Sequence, residues 1–424
     1  MGSIVVSLPC TAYLCAAIKV SRASLPGGKI TVFKSINLYL KYQPTHIFTG
    51  TQLLPQGNVL ICNTQGQIEA IVPATEAGSD VQQLQGILSP GFVNAHCHIE
   101  LSHCRELIPQ HTGLVNFVQQ VMQKRHPFTT EQIMAAQQAA AEELYQSGTV
   151  AVADICNTDN SIALKQQSPM YWHSFVETSG FVNATASTRM ADALELLRLF
   201  NTLPAQKHRA GIVPHAPYSV SPALFGLINE ASALQLISIH NQECPAEDQL
   251  YKNKTGEMLR LYQNLGIDIS AFEPTGKSSL QSWLPYFTHN QKIISVHNSF
   301  TGPEDIAFAQ NKIYYCICIN ANLYIENSLP PIDLLLQQHC PIVIGTDSYA
   351  SNQQLNIMAE INSIRGHFPH IALEQVLQWA TLNGAEALGI AHEYGSFEKG
   401  KKPGLVIIRQ NEASTLESFR MNTG

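Results

Sequence analysis

The sequence predicts an α/β protein, a TIM-like (β/α)8 barrel that carries a small discontinuous β-sandwich built from both ends of the chain. Three observations predict it. Between residues 89 and 395, short apolar runs alternate with helical patterns, the signature of βα units around a parallel sheet. Several of these runs are followed at once by histidine or a carboxylate, which is where such a barrel places its chemistry. Short strand-like segments separated by turn residues fill 36–88, and a matching piece fills 396–424.

Taken in order, residues 1–35 read as a leader ahead of the domain proper. Ile4 to Ala17 is mildly apolar, but no basic segment precedes it and Pro9 and Tyr13 interrupt it, so it lacks the form of a secretion signal. His46-Ile47-Phe48, Asn58 to Cys62 and Gln67 to Val72 then read as strands punctuated by Gly57, Gly66 and Pro73. At the far end Gly400-Lys401-Lys402-Pro403-Gly404 leads into Leu405 to Ile408, and pairing of the two ends would close one sandwich.

The eight barrel runs are Gly91–Asn94, Thr149–Ala153, Trp172–Val176, Ala210–Val213, Leu236–Ile239, Lys292–Val296, Tyr314–Ile319 and Ile342–Gly345. Among the intervening helices, Thr130 to Ser147 is the clearest. It opens with an N-cap threonine and Glu131, is rich in Ala, Gln and Glu, and stops at Gly148. Met190 to Phe200 and Leu373 to Leu388 have similar apolar spacing.

With 424 residues, 45% hydrophobic and 13% charged, the chain can bury one large core and a smaller satellite. A net charge of −7 with the charges dispersed gives no basic stripe for a nucleic-acid backbone. Ten cysteines without a Cys-x-x-Cys pair imply free thiols, and a cytoplasmic location is the expectation. The sequence contains no run of about 18 uninterrupted apolar residues, so no membrane partner is expected.

The strand ends carry the function. His96 and His98 follow the first run, His215 the fourth, His240 and Glu243 the fifth, His297 the sixth and Asp347 the eighth. In a strand, residues i and i+2 share a face, so His96 and His98 project two imidazoles together while Cys97 points the other way and packs. Neutral imidazoles with one carboxylate suit a catalytic divalent metal that keeps a position for water and lowers its pKa to about 7. His96, His98, His240 and Asp347 are the expected ligands. Glu243, three residues past His240, is placed to take the water's proton and pass it to a ring nitrogen or leaving amine. His297 is placed to hydrogen-bond the hydroxide or a tetrahedral oxygen, and His215 to contact substrate.

The chain from about residue 40 resembles the amidohydrolase superfamily, in its cytosine-deaminase-like and chlorohydrolase-like branch. The resemblance rests on Pro90-Gly91-Phe92-Val93-Asn94-Ala95-His96-Cys97-His98, on His240-Asn241-Gln242-Glu243, on Ser295-Val296-His297-Asn298 and on Gly345-Thr346-Asp347-Ser348. It implies His96, His98, His240 and Asp347 as metal ligands, Glu243 as the proton-transfer group, and His297 and Asp347 acting on the water. Members with two metals bridge them through a lysine at the end of the fourth strand. His215 stands there instead, which implies a single ion, Zn2+ first and Fe2+ second.

His98-Ile99-Glu100-Leu101-Ser102 is also similar to a stretch of the aminodeoxyfutalosine deaminases. Glu100 then either reaches a ribose or ring amine of the substrate or organises its loop. The chain departs from the family pattern at Cys318-Ile319-Asn320-Ala321-Asn322, where Cys-Pro-x-Ser-Asn is usual, and at Gly400 to Gly404.

Other classes lack their signatures. Neither Pro-Cys-x-x-Cys after a His-x-Glu, nor a Gly-x-Ser-x-Gly elbow, nor a Gly-x-Gly-x-x-Gly turn is present. The expectation is a metal-dependent deaminase that releases ammonia from a small heterocycle, a purine-like base or nucleoside first and a pterin, cytosine or triazine second. The rival of another class is a non-catalytic scaffold with the same fold. Relatives of this architecture make a homodimer the expected assembly.

Overall fold

The computed structural model describes residues 39–310 and 312–422, so the leader expected over 1–35 lies outside the described residues. The barrel strands are β1 (Phe92–Cys97), β2 (Thr149–Cys156), β3 (Tyr171–Thr178), β4 (His208–Pro214), β5 (Leu236–Asn241), β6 (Lys292–His297), β7 (Ile313–Ile317) and β8 (Ile342–Ile344). Strands β1 to β4 form one parallel sheet and β5 to β8 a second.

Two seams join the sheets into a (β/α)8 barrel, and site residues make both. At the first, the His240 N–H donates to the His215 carbonyl at 3.0 Å. At the second, Cys97 bridges Asp347 in parallel, with the Thr346 and Asp347 N–H groups on the His96 carbonyl at 3.0 and 3.1 Å. This closure lengthens strands relative to their apolar runs. β1 continues past Asn94 to Cys97, and β5 past Ile239 to Asn241, because each finds backbone partners across a seam. His240 therefore stands in regular strand, paired with Val296, while His96 stands at a register shift between Asn94 and Cys97, where the second seam holds its carbonyl.

The strands read as nearly continuous apolar runs because both faces are covered, as a parallel sheet requires. Phe175, Ile212, Ile239, Ile294 and Ile344 are buried in one core with the helices outside. Cys97, on the opposite face from the histidines, packs with Ala140, Leu144 and Trp172.

The helix behind β1 spans Thr130–Gln146, and its cap is Thr129, one residue before the expected start. The Thr129 hydroxyl accepts from the Gln132 N–H, and the Gln132 side chain returns to the Thr129 N–H, completing a capping box. The pattern over Leu373 to Leu388 forms Leu373–Gln378, a π turn at Trp379–Asn383, and Gly384–Ala387. A Cβ at Gly384 would lie 2.7 Å from the Val93 Cβ, so glycine lets this helix press against β1.

The two chain ends meet beside the barrel. Leu405–Gln410 runs antiparallel to Ile87–Pro90, with Leu405 opposite Pro90, and His46–Phe48 pairs with Ile87–Pro90 on the other side. Tyr42, Leu60, Ile68, Leu88, Phe397 and Leu405 make the apolar centre of this unit. Gly91 sits at its junction with the barrel, where a Cβ would lie 2.2 Å from Val150 Cγ1 and 2.8 Å from the Pro403 carbonyl. The eight cysteines among the described residues are free and buried. No helix among the described residues is long and apolar enough to cross a membrane.

Candidate metal centre

Three imidazoles and a carboxylate converge at the mouth of the barrel. His98 Nε2 lies 3.1 Å from His96 Nε2 and 3.2 Å from His240 Nε2, and Asp347 Oδ1 is 3.4 Å from both His96 and His98. All four side chains are buried. Two imidazole nitrogens at this separation need a proton or a shared cation between them. Burial first, and then the neighbouring histidines, pushes His98 down to about 3 and His240 well below the ordinary histidine range; burial also lowers His96, against the pull of Asp347. A shared proton is therefore disfavoured. A tetrahedral ion with bonds of 2.0–2.1 Å to nitrogen would hold its ligands about 3.3 Å apart. The observed spacings match that edge length, so the donor set fits one divalent metal.

The tautomers agree. His240 donates Nδ1–H to the His215 carbonyl at 2.8 Å, which leaves its Nε2 lone pair facing the centre. His96 Nδ1 is buried without a partner among the described residues. Burial raises the Asp347 carboxyl, but the hydrogen bond from His96 and the nearby His98 and His297 outweigh it and hold it below the usual carboxylate range. Its second oxygen accepts from the Ser351 hydroxyl.

His96, His240, His297 and Asp347 also offer one ligand atom each within 4.8 Å of one another. His98 belongs in the ligand set ahead of His297 on geometry. The His297 ring centroid is 5.4 Å from that of His240 and 5.9 Å from that of His96, its Nδ1 is committed to Asn322 Oδ1 at 2.8 Å, and its Nε2 stands 3.7 Å from Glu243 Oε1. His297 borders the centre and faces Glu243 across it.

Glu243 is buried, and desolvation, with Asp347 and Glu326 adding to it, raises its carboxyl well above the ordinary range. The backbone around it is held by Glu247, whose two oxygens accept from the Gln242 N–H at 2.9 Å and the Glu243 N–H at 2.7 Å. Gln242, His297, Asn298 and Asp347 have positive φ values of 45°, 71°, 58° and 58°. Such backbone costs on the order of 1–3 kcal/mol per residue and persists where surrounding structure enforces it. Gly345 belongs to the same enforcement: a Cβ there would lie 2.8 Å from His96 Cβ and 2.9 Å from Cys316 Sγ.

A family model described as "Amidohydrolase family" matches residues 87–421, most of the chain. The chain belongs to the amidohydrolase family. Among sequences, it is 25% identical over 377 residues to a 5-methylthioadenosine/S-adenosylhomocysteine deaminase of Teredinibacter turnerae, covering 82% of this chain and 79% of that one. Among solved structures, it resembles Helicobacter pylori aminofutalosine deaminase in complex with methylthio-coformycin, with a TM-score of 0.76 and 20% identity over 88% of this chain and 93% of that one. It also resembles an adenosine deaminase from Xanthomonas campestris with bound zinc, with a TM-score of 0.71 and 21% identity over 89% and 86% of the two chains. These likenesses show the amidohydrolase fold.

The remaining expected residues separate. His215 lies beside the centre, its ring centroid 4.9 Å from that of His240. Glu100 turns away to the loop after β2, where it accepts from the Asn157 N–H at 3.0 Å and the Thr158 N–H at 3.1 Å; of its two expected roles, the contacts are those of the loop organiser. Sequence reading passed over four groups. Asn94 ties the second seam, donating to Thr346 Oγ1 at 2.8 Å and accepting from the Thr346 N–H at 3.2 Å. Asn322 holds His297, and Glu247 reads as an ordinary acid in a first helical turn. The fourth, Glu177, is the penultimate residue of β3 and directly follows the apolar run Trp172–Val176, so the strand-end rule itself reaches it.

Proposed function

We propose that this amidohydrolase is a deaminase that replaces the exocyclic amine of a purine-like base or nucleoside with oxygen, consuming water and releasing ammonia. The observation that carries the reading is the pairing of a one-metal donor set with a buried, protonatable Glu243 that faces His297 at 3.7 Å. The deaminase names of the similar proteins support the purine class, aminodeoxyfutalosine-like nucleosides included, and the zinc of the Xanthomonas structure supports Zn2+. In this reading the enzyme works on a small heterocycle, with neither nucleic acid nor membrane as partner.

His96, His98, His240 and Asp347 would hold the ion. When bound, it supplies Lewis acidity and brings the pKa of a coordinated water to about 7. Glu243 would then carry the water's two protons in turn, the first to the ring nitrogen beside the attacked carbon and the second to the amine, which departs as ammonia. Its raised pKa suits a group that must hold and release a proton near neutrality. Asn322 Nδ2 faces the His297 carbonyl at 3.4 Å, so its Oδ1 faces His297 Nδ1 and that nitrogen carries the hydrogen. Burial lowers the His297 pKa and keeps the ring neutral, so its Nε2 accepts a hydrogen bond and orients the water toward the ring.

The test is ammonia release by zinc-loaded protein across aminated purines, adenine nucleosides with aminodeoxyfutalosine, pterins, cytosine and an aminated triazine. Release from the purine group supports the reading; release confined to pterin, cytosine or triazine moves the substrate class; none from the whole panel overturns it. His240→Ala should lose the bound metal by elemental analysis together with all turnover.

A further inference from the structure

Glu177 stands at the inner end of β3, with only 8% of its side chain exposed. Its Oε2 accepts from Asn157 Nδ2 at 3.0 Å, while Oε1 is buried with no hydrogen-bond partner among the described residues. The neighbouring His240 Nδ1 is 3.9 Å away and already donates to the His215 carbonyl at 2.8 Å, so it does not satisfy Oε1. A buried carboxylate oxygen left unpaired is costly, and a donor brought by a ligand would remove that cost.

His215 supplies the second half. Its Nδ1 lies 2.8 Å from Ser219 Oγ, whose own hydrogen has the Ala216 carbonyl as acceptor at 3.0 Å. Nδ1 therefore carries the imidazole hydrogen, and Nε2 is a bare acceptor. One ligand atom each of Glu177, His215 and His240 lie within 4.8 Å of one another, so the Glu177 carboxylate and the His215 imidazole are neighbours beside a metal-facing histidine. A second cation at this spot would have to displace His240 Nδ1–H from its carbonyl. Two neighbouring hydroxyl donors match without rearrangement.

We propose that Glu177, with His215, receives the vicinal hydroxyls of a ribose, making Glu177 a specificity-determining residue that selects nucleosides over free bases. The assignment rests on the deaminase reading and narrows its substrate class. A hydroxyl bonded to a charged acceptor is worth roughly 10- to 100-fold in binding.

The test compares zinc-loaded wild type and Glu177→Gln on adenosine, 2′,3′-dideoxyadenosine and adenine, with metal content measured for both proteins. Wild type should favour adenosine over the dideoxy analogue by about 10- to 100-fold in KM. Glu177→Gln should keep its metal, raise KM for adenosine by a similar factor with kcat within about threefold, and leave KM for the dideoxy analogue nearly unchanged. Equal losses on both nucleosides, or loss of metal, would assign Glu177 to support of His240 and overturn the proposal. Absence of turnover on all three counts against the deaminase reading itself; calorimetric binding of adenosine and the dideoxy analogue to wild type then still decides Glu177, equal affinities overturning it.

Discussion

Two buried clusters of charge occupy opposite faces of neighbouring strands and are built on different principles. On the helix-facing side, Asp154 of β2 meets Lys165 at 2.6 Å with both side chains almost fully buried, and its other oxygen accepts from the Ile99 N–H at 2.7 Å. Lys165 completes its donors with Cys156 Sγ at 3.0 Å and Ser174 Oγ at 2.9 Å. Charge and hydrogen bonds balance within the chain, as a buried pair requires. On the inner side, Asp347 and Glu243 face imidazoles that burial keeps neutral. A balanced cluster orients the backbone, here the turn that carries His98. The acid-rich and nitrogen-rich cluster is one that an external cation completes.

Substitutions on each side should separate these roles. The largest effect is expected from Glu243→Gln, which keeps the ligand set and removes the proton carrier. Its kcat should fall by about 10²- to 10⁴-fold, the usual share of general acid–base catalysis, with metal content unchanged. Near-normal turnover would remove Glu243 from the mechanism. On the other side, Lys165→Met leaves Asp154 buried without its counter-charge and should cost about 3–5 kcal/mol of stability in urea unfolding. Adding Asp154→Asn should recover most of that loss, because the pair is then neutral. A single variant as stable as wild type would show that Asp154 finds compensation elsewhere, and the contrast between the clusters would fail.

The same contrast explains what could be read from the sequence. The inner cluster was legible because each ligand lies within four residues past the end of an apolar run, and a strand's period of two fixes which side chains share a face. The seams were not legible: closing β1 on Asp347 depends on Asn94 and Thr346 meeting across 252 positions. The Asp154–Lys165 pair was equally silent, since its members lie on a strand and a helix with unremarkable spacing. Glu177 and Asn322 were missed for a related reason. Their roles come from what stands opposite them in space, Asn157 for one and His297 for the other. Glu100 shows the converse, because a motif placed it beside the ligands while its carboxylate serves the backbone of the next loop.

The smallest effect tests the inner cluster by pH. His98 is held at about 3 when folded, chiefly by burial and then by His96, against about 6.5 when unfolded. Between these values the unfolded chain binds a proton that the folded chain does not, so stability rises with pH through that window and is lost as pH falls below about 6.5. Protein stripped of metal by a chelator should therefore lose about 2 kcal/mol through His98 alone between pH 8 and pH 5. Lys165 gives no such slope: burial pulls its ammonium down, but Asp154 and Cys156 outweigh it, so it stays charged throughout. The measurement is urea unfolding of chelated wild type and His98→Asn at several pH values. The variant should show the shallower dependence, and identical slopes would mean that His98 is not held neutral in the fold. Restoring zinc to wild type should add stability that also declines toward acid, because ligand imidazoles must shed their protons to bind.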